Sequence, residues 1–154
     1  MHLSQILSLD CTHCAAQDSS KKKLLETISG MVAPKLVGIN RADIFDSLLQ
    51  RERLGSTGIG LGIAIPHGRL AKASKPVAVL ITMAQAVDFD AIDNQPVDII
   101  FALLVPENDP EQHLKTLSEV ARRFNNKDCC RALRKATTDQ ELYDLFVEEG
   151  SPCN

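Results

Sequence analysis

The sequence predicts an α/β fold in which a mixed β-sheet lies sandwiched between helices. Two runs in the middle of the chain, "PVAVLITM" (Pro76–Met83) and "PVDIIFALLV" (Pro96–Val105), are rich in β-branched and aliphatic residues and nearly unbroken, as strands covered on both faces are. Segments with helical spacing of apolar residues precede and follow them. A length of 154 residues, 44% hydrophobic and 24% charged, suits one domain over residues 1–154 with a real core.

The elements follow in order. A strand is expected near Cys11–Ala16. Leu24, Leu25, Ile28, Met31 and Val32 mark a first helix from Ser20, its cap, to about Lys35. Lys21–Lys23 sit against the positive end of its dipole and read as a solvated face. Asn40 caps a second helix, with Asp43 in its first turn and Ile44, Phe45, Leu48 and Leu49 as its buried stripe, ending near Arg53. "GIAIP" is a short strand leading to His67. Asp109, Pro110 and Gln112 open a third helix whose apolar set is Leu114, Leu117, Val120, Ala121 and Phe124. A short helix near Cys129–Lys135 joins it to a last one, which begins at Thr138 with Glu141 in the capping-box position. Strand order does not follow from these runs.

Composition excludes several classes. Both long apolar runs are strand-sized, too short to cross a bilayer. "MHLSQILSLD" lacks a cationic flank and a cleavage site, so the expected place is the cytoplasm. A net charge of −3, with five Phe, one Tyr and no Trp, argues against a nucleic-acid platform. Without an export signal, Cys11, Cys14, Cys129, Cys130 and Cys153 are expected as reduced thiols of no assigned role. "CTHC" has zinc half-site spacing, but the adjacent Cys129 and Cys130 are ill-placed to complete a tetrahedral site.

Chemistry concentrates in "RERLGSTGIGLGIAIPHGR", Arg51–Arg69. No lysine closes the glycine run, so it is not a nucleotide P-loop. The dinucleotide fingerprint and the serine-hydrolase elbow are also missing. Glycines let backbone N–H groups approach an oxyanion, Ser56 and Thr57 add hydroxyl donors, and Arg51 and Arg53 can pair with a phosphate. His67 offers a neutral nitrogen that can act as a nucleophile. Pro66 stiffens the approach to it, and Gly68 keeps space open beside the ring. The set suits a histidine that carries a phosphoryl group. A histidine after a strand can equally be a surface or core residue with a satisfied ring. His113, in the first turn of the third helix, stands where α/β sites gather, at the end of a strand; its alternative is a helix-surface residue. His2 and His13 have no such setting. Two other classes stay open: a binding module whose histidine is never modified, and a metal hydrolase using His67, His113 and carboxylates such as Asp88 or Asp90.

"LQRERLGSTGIGLGIAIPHGR", together with "FDAIDNQPVDIIFALLVPENDPEQHLKTLSEVARR", resembles the mannitol/fructose-type enzyme IIA superfamily of the phosphotransferase system, and "DAIDNQPVD" its nitrogen-related branch. The resemblance covers nearly the whole chain and implies the mannitol-type enzyme IIA fold. It implies phosphorylation of His67, at the tele nitrogen, with His113 as a second active-site histidine and Arg51 near the phosphate. The donor implied is an HPr-like carrier (NPr), itself charged through an enzyme I homologue from phosphoenolpyruvate, with no cofactor or metal. Regulatory targets implied for this branch include potassium-handling proteins and sensor kinases. "CTHC" is not part of the family's active-site pattern. An apolar rim of Ile59, Leu61 and Ile63 is expected to dock the donor, with the alternative that some of these side chains are simply core.

Overall fold

The computed structural model describes residues 3–154; His2 lies outside the described residues. The chain runs β1 (Leu7–Ala16), α1 (Lys21–Val32), α2 (Arg41–Arg53), β2 (Gly58–Gly60), β3 (Ile63–Ala64), β4 (His67–Leu70), β5 (Val77–Val87), β6 (Val97–Pro106), α3 (Pro110–Phe124), α4 (Lys127–Lys135) and α5 (Asp139–Val147). The sheet order is β1-β5-β6-β3-β2, with β4 also on β6. Pairing is mixed, as expected: β1 is parallel to β5, β5 antiparallel to β6, and β3 and β4 both parallel to β6. β3 and β4 are thus successive segments of one line beside β6. The ladder continues between them through the Leu103 N–H, which donates to Pro66 O at 2.9 Å.

The unbroken apolar runs are explained by two cores, one on each sheet face. Val79 and Ile81 pack with Leu24, Ile28, Ile44 and Leu48 of α1 and α2. Leu80 and Phe101 pack with Phe124 and Phe146 of α3 and α5, the last two rings 5.6 Å apart. Period-two alternation therefore gives no polar positions along most of β5 and β6.

Each expected cap is made. Ser20, Asn40, Asp109 and Thr138 accept from the N–H groups of Lys23, Asp43, Gln112 and Glu141. α1 stops at Val32, short of Lys35, where a 3-10 turn carrying Pro34 follows. β1 starts at Leu7, earlier than the apolar pattern suggests, because register shifts along its pairing with β5 break the alternation. Leu114 is 64% exposed; the buried side of α3 is Thr116, Val120 and Phe124, with Thr116 Oγ1 donating to Gln112 O.

The cysteine expectation needs one correction. Cys129 and Cys153 form a disulfide, because the C-terminal tail folds back onto α4, with Asn126 Nδ2 donating to Pro152 O. Cys11, Cys14 and Cys130 are free thiols. Cys11 and Cys14 lie on opposite faces of the sheet, so "CTHC" makes no half-site.

Gly68 matters for packing against α2. A Cβ there would overlap Ser47 Oγ and stand 3.2 Å from Ser47 Cβ on α2. Gly68→Ala should lower stability by about 1–3 kcal/mol, measured by urea unfolding, and a second change, Ser47→Gly, should restore most of the loss.

Candidate functional site

Strand β4 and the first turn of α3 bring two histidines together. His67 opens β4 opposite Leu103, on the sheet face covered by α3, and His113 lies one turn into α3. Their ring centroids are 5.5 Å apart, with planes at 48°. Both rings are half-buried. Arg51 enters from the last turn of α2. Its Nε–H donates to His67 Nε2 at 3.2 Å and its Nη1 donates to Gly55 O at 2.9 Å.

This geometry assigns the imidazole tautomer. His67 Nδ1 is 2.7 Å from Ile65 O, which can only accept, so Nδ1 carries the proton. Nε2 then holds the lone pair and receives the Arg51 N–H. Burial pushes the His67 ring below its ordinary range and the Arg51 cation adds to this, against the Ile65 hydrogen bond. His113 is lowered chiefly by burial, then by His67 and Arg69. His113 Nδ1 is buried and has no hydrogen-bond partner among the described residues.

Ser56 and Thr57 do something other than face the two rings. Ser56 Oγ donates to Phe89 O at 2.7 Å and accepts from the Gly58 N–H at 3.0 Å. Thr57 is buried; its hydroxyl and its N–H both donate to the Glu52 carboxylate. Glu52 in turn pairs with Lys21 Nζ at 2.8 Å, and Lys21 sits 4.7 Å from the centre of the Phe89 ring. So Lys21 is not simply a solvated cation, and Glu52 is a residue sequence reasoning missed. The signal was its position between Arg51 and the loop, in the "RER" triplet. Arg53 lies exposed at the helix end.

The apolar rim is divided. Ile63 is core, whereas Ile59 and Leu61 are exposed. They border the C-terminal part of α3, away from His113. Nearer the rings, Leu114 follows His113 and Leu54 lies in the turn after Arg51, both exposed. Asp88 accepts from the Asp90 N–H, and among the described residues no three His, Cys, Asp or Glu side chains gather to hold a metal. No helix among them is long and apolar enough to cross a membrane.

A family model for the phosphoenolpyruvate-dependent sugar phosphotransferase system, EIIA 2, matches residues 5–149. The chain is 47% identical over 152 residues to a nitrogen regulatory protein of Klebsiella oxytoca, covering 98% of this chain and 93% of that one. It is 46% identical over 154 residues to the nitrogen regulatory protein of Escherichia coli K12, covering 99% and 94%. The crystal structure of nitrogen regulatory protein IIA-Ntr from Neisseria meningitidis matches with a TM-score of 0.87 at 38% identity, over 91% of this chain and 95% of that one. Mannitol IIA from Escherichia coli shares the fold, with a TM-score of 0.72 at 15% identity over 87% and 94%. With its mixed sheet and paired histidines, the chain belongs to the EIIA 2 family of the phosphotransferase system, among the nitrogen regulatory proteins.

Proposed function

We propose that this protein is a regulatory phosphocarrier: His67 Nε2 accepts a phosphoryl group from a phosphohistidine on an HPr-like donor, and the phosphorylated and free forms bind different partners. One observation carries the proposal. Nδ1 is tied to Ile65 O, so the lone pair on Nε2 is presented beside a guanidinium and a second, incompletely bonded imidazole.

The step is an in-line displacement. The donor's N–P bond breaks as the Nε2–P bond forms, and the donor imidazole leaves with its electron pair. Both sides hold an N–P bond, so alignment and charge stabilisation are the main tasks. Positive charge grows on the His67 ring, where the Ile65 carbonyl faces Nδ1–H. Arg51 turns from Nε2 to the phosphoryl oxygens, and His113 supplies a further contact. Leu54 and Leu114, both exposed, offer the donor apolar contact. The new group adds about −1.5 to −2 charge at one spot, enough to attract or repel a partner without a change of fold.

The test is incubation with labelled phosphoenolpyruvate, an enzyme I homologue and an HPr homologue. Label that is acid-labile, alkali-stable and lost in His67→Ala supports the proposal. Label retained in that variant overturns it, and no label on the wild type leaves an unmodified binding module.

The depressed titration of both rings has a sign that can be measured. An imidazole held below 6.5 stays neutral as the medium acidifies, so the rate of acceptance should remain level down to about pH 6.5, where a free imidazole is half protonated. The same shift makes folding acid-sensitive. Its stabilising contribution is complete above 6.5 and is lost as pH falls through the depressed values. His67→Gln should flatten that part of the decline in urea midpoint.

A further inference from the structure

A second built surface lies about 16 Å along α3 from His113, near Phe124. Its centre is Leu61. This non-glycine residue has φ +60° and is 71% exposed. Two charged side chains pin its backbone: the N–H donates to Asp93 Oδ2 at 3.0 Å, and the carbonyl accepts from Arg134 Nη2 at 2.7 Å. Arg134 is itself held by Asp98 through Nε and Nη2. A left-handed backbone is costly for leucine and free for glycine, and an exposed leucine gains nothing from burial. The fold therefore maintains a strained leucine pointing outward where glycine would serve its own stability better.

Two contiguous cavities, about 460 and 410 Å³, flank this turn and share Leu61, Ile63, Phe124 and Asn125 as a wall. The floor is apolar and recessed: Ile63, Phe124 and Cys130 are each buried. The rim is cationic in a chain of net charge −3. α4 carries Lys127, Arg131, Arg134 and Lys135 against Asp128 alone. Asp98 and Asp128 pair with Arg134 and Arg131, while Lys127 and Lys135 have no carboxylate within ion-pair distance among the described residues.

We infer that this groove docks an acidic peptide segment of a partner protein, with an apolar side chain seated between Leu61 and Phe124 and carboxylates on Lys127 and Lys135. The paired cavities suit an elongated occupant, and the cations select its charge. A flat anionic bilayer would meet the rim without reaching the recessed floor. The inference gives the chemistry of a partner within the proposed regulatory role, but docking here does not require His67 to carry phosphate.

The probe is a short fluorescein-labelled peptide alternating glutamate and leucine, with a glutamine–leucine peptide and phosphatidylserine vesicles as the other arms. The expected result is saturable binding of the acidic peptide, weakened by salt, with amide shifts confined to residues 59–63 and 124–135. Lys127→Glu with Lys135→Glu should weaken it about tenfold or more, whereas His67→Ala should bind as the wild type does. Leu61→Gly should bind more weakly while unfolding at the same or a higher temperature. Absence of saturable binding, equal affinity in the lysine double variant, equal affinity for the glutamine peptide, or a preference for vesicles would each overturn the inference. So would a Leu61→Gly protein that loses stability and keeps its affinity. Failure of His67 phosphorylation would leave all of these readouts in place.

Discussion

Arg51→Ala is expected to slow phosphoryl acceptance by His67 about 100- to 1,000-fold, the range for losing one preorganised donor to a developing anionic centre. The guanidinium already touches the proposed nucleophile, His67, through Nε–H to Nε2 at 3.2 Å, and Nη1 is anchored to Gly55 O. It needs only a small rotation to follow the phosphoryl group, so little reorganisation accompanies the reaction. Arg51→Lys keeps the charge but loses the planar donor pair that serves Gly55 and His67 together, and should fall between the two. Single-turnover transfer from the phosphorylated donor, followed by rapid quench, reads these rates directly. Arg51 is half-buried and makes no ion pair among the described residues, so thermal midpoints should move little. Transfer within about threefold of wild type in Arg51→Ala would assign the guanidinium to holding the loop.

The legible parts of the fold were those with local causes. Ser20, Asn40, Asp109 and Thr138 announce their helices because a cap hydrogen bond spans three residues. The two central strands announce themselves because both of their faces are covered. Helical spacing groups Leu114 with the buried side because Leu114, Leu117, Ala121 and Phe124 share one face of α3, and only packing on the sheet decides which edge of that face is covered. The site divides in the same way. His67, His113 and Arg51 could be nominated from residue chemistry beside strand and helix ends, and they meet in space. The partners of Ser56 and Thr57 could not. A hydroxyl beside glycines looks free until folding brings Phe89 to Ser56 and turns the Glu52 carboxylate toward Thr57. Cys129 and Cys153 likewise meet only once the tail returns to α4.

Glu52→Ala should be the most destabilising single change near the site, by about 3 kcal/mol, the lower end of the cost of breaking a buried ion pair. The Glu52 side chain is 3% exposed and accepts from three donors: the Thr57 N–H, the Thr57 hydroxyl and Lys21 Nζ. Truncation leaves the buried Thr57 donors unpaired, while Lys21, 20% exposed, can turn toward water, and this keeps the cost at the lower end. For a domain of this size the thermal midpoint should fall by about 6–12 °C. Glu52→Gln should cost less, since an amide oxygen still accepts from Thr57 although its NH2 group faces an ammonium. Lys21→Met in that background should recover part of the loss, giving a coupling above about 1 kcal/mol in a double-mutant cycle. The consequence reaches the chemistry through a short chain of contacts. Glu52 fixes Thr57, the turn before Thr57 contains Gly55, and Gly55 O anchors Arg51 against His67. Folded Glu52→Ala protein, assayed well below its midpoint, should therefore accept phosphate about tenfold more slowly than wild type. If its urea midpoint and transfer rate both match wild type, the carboxylate is not what holds the loop, and the anchoring of Arg51 must come from Ser56 and Phe89 instead.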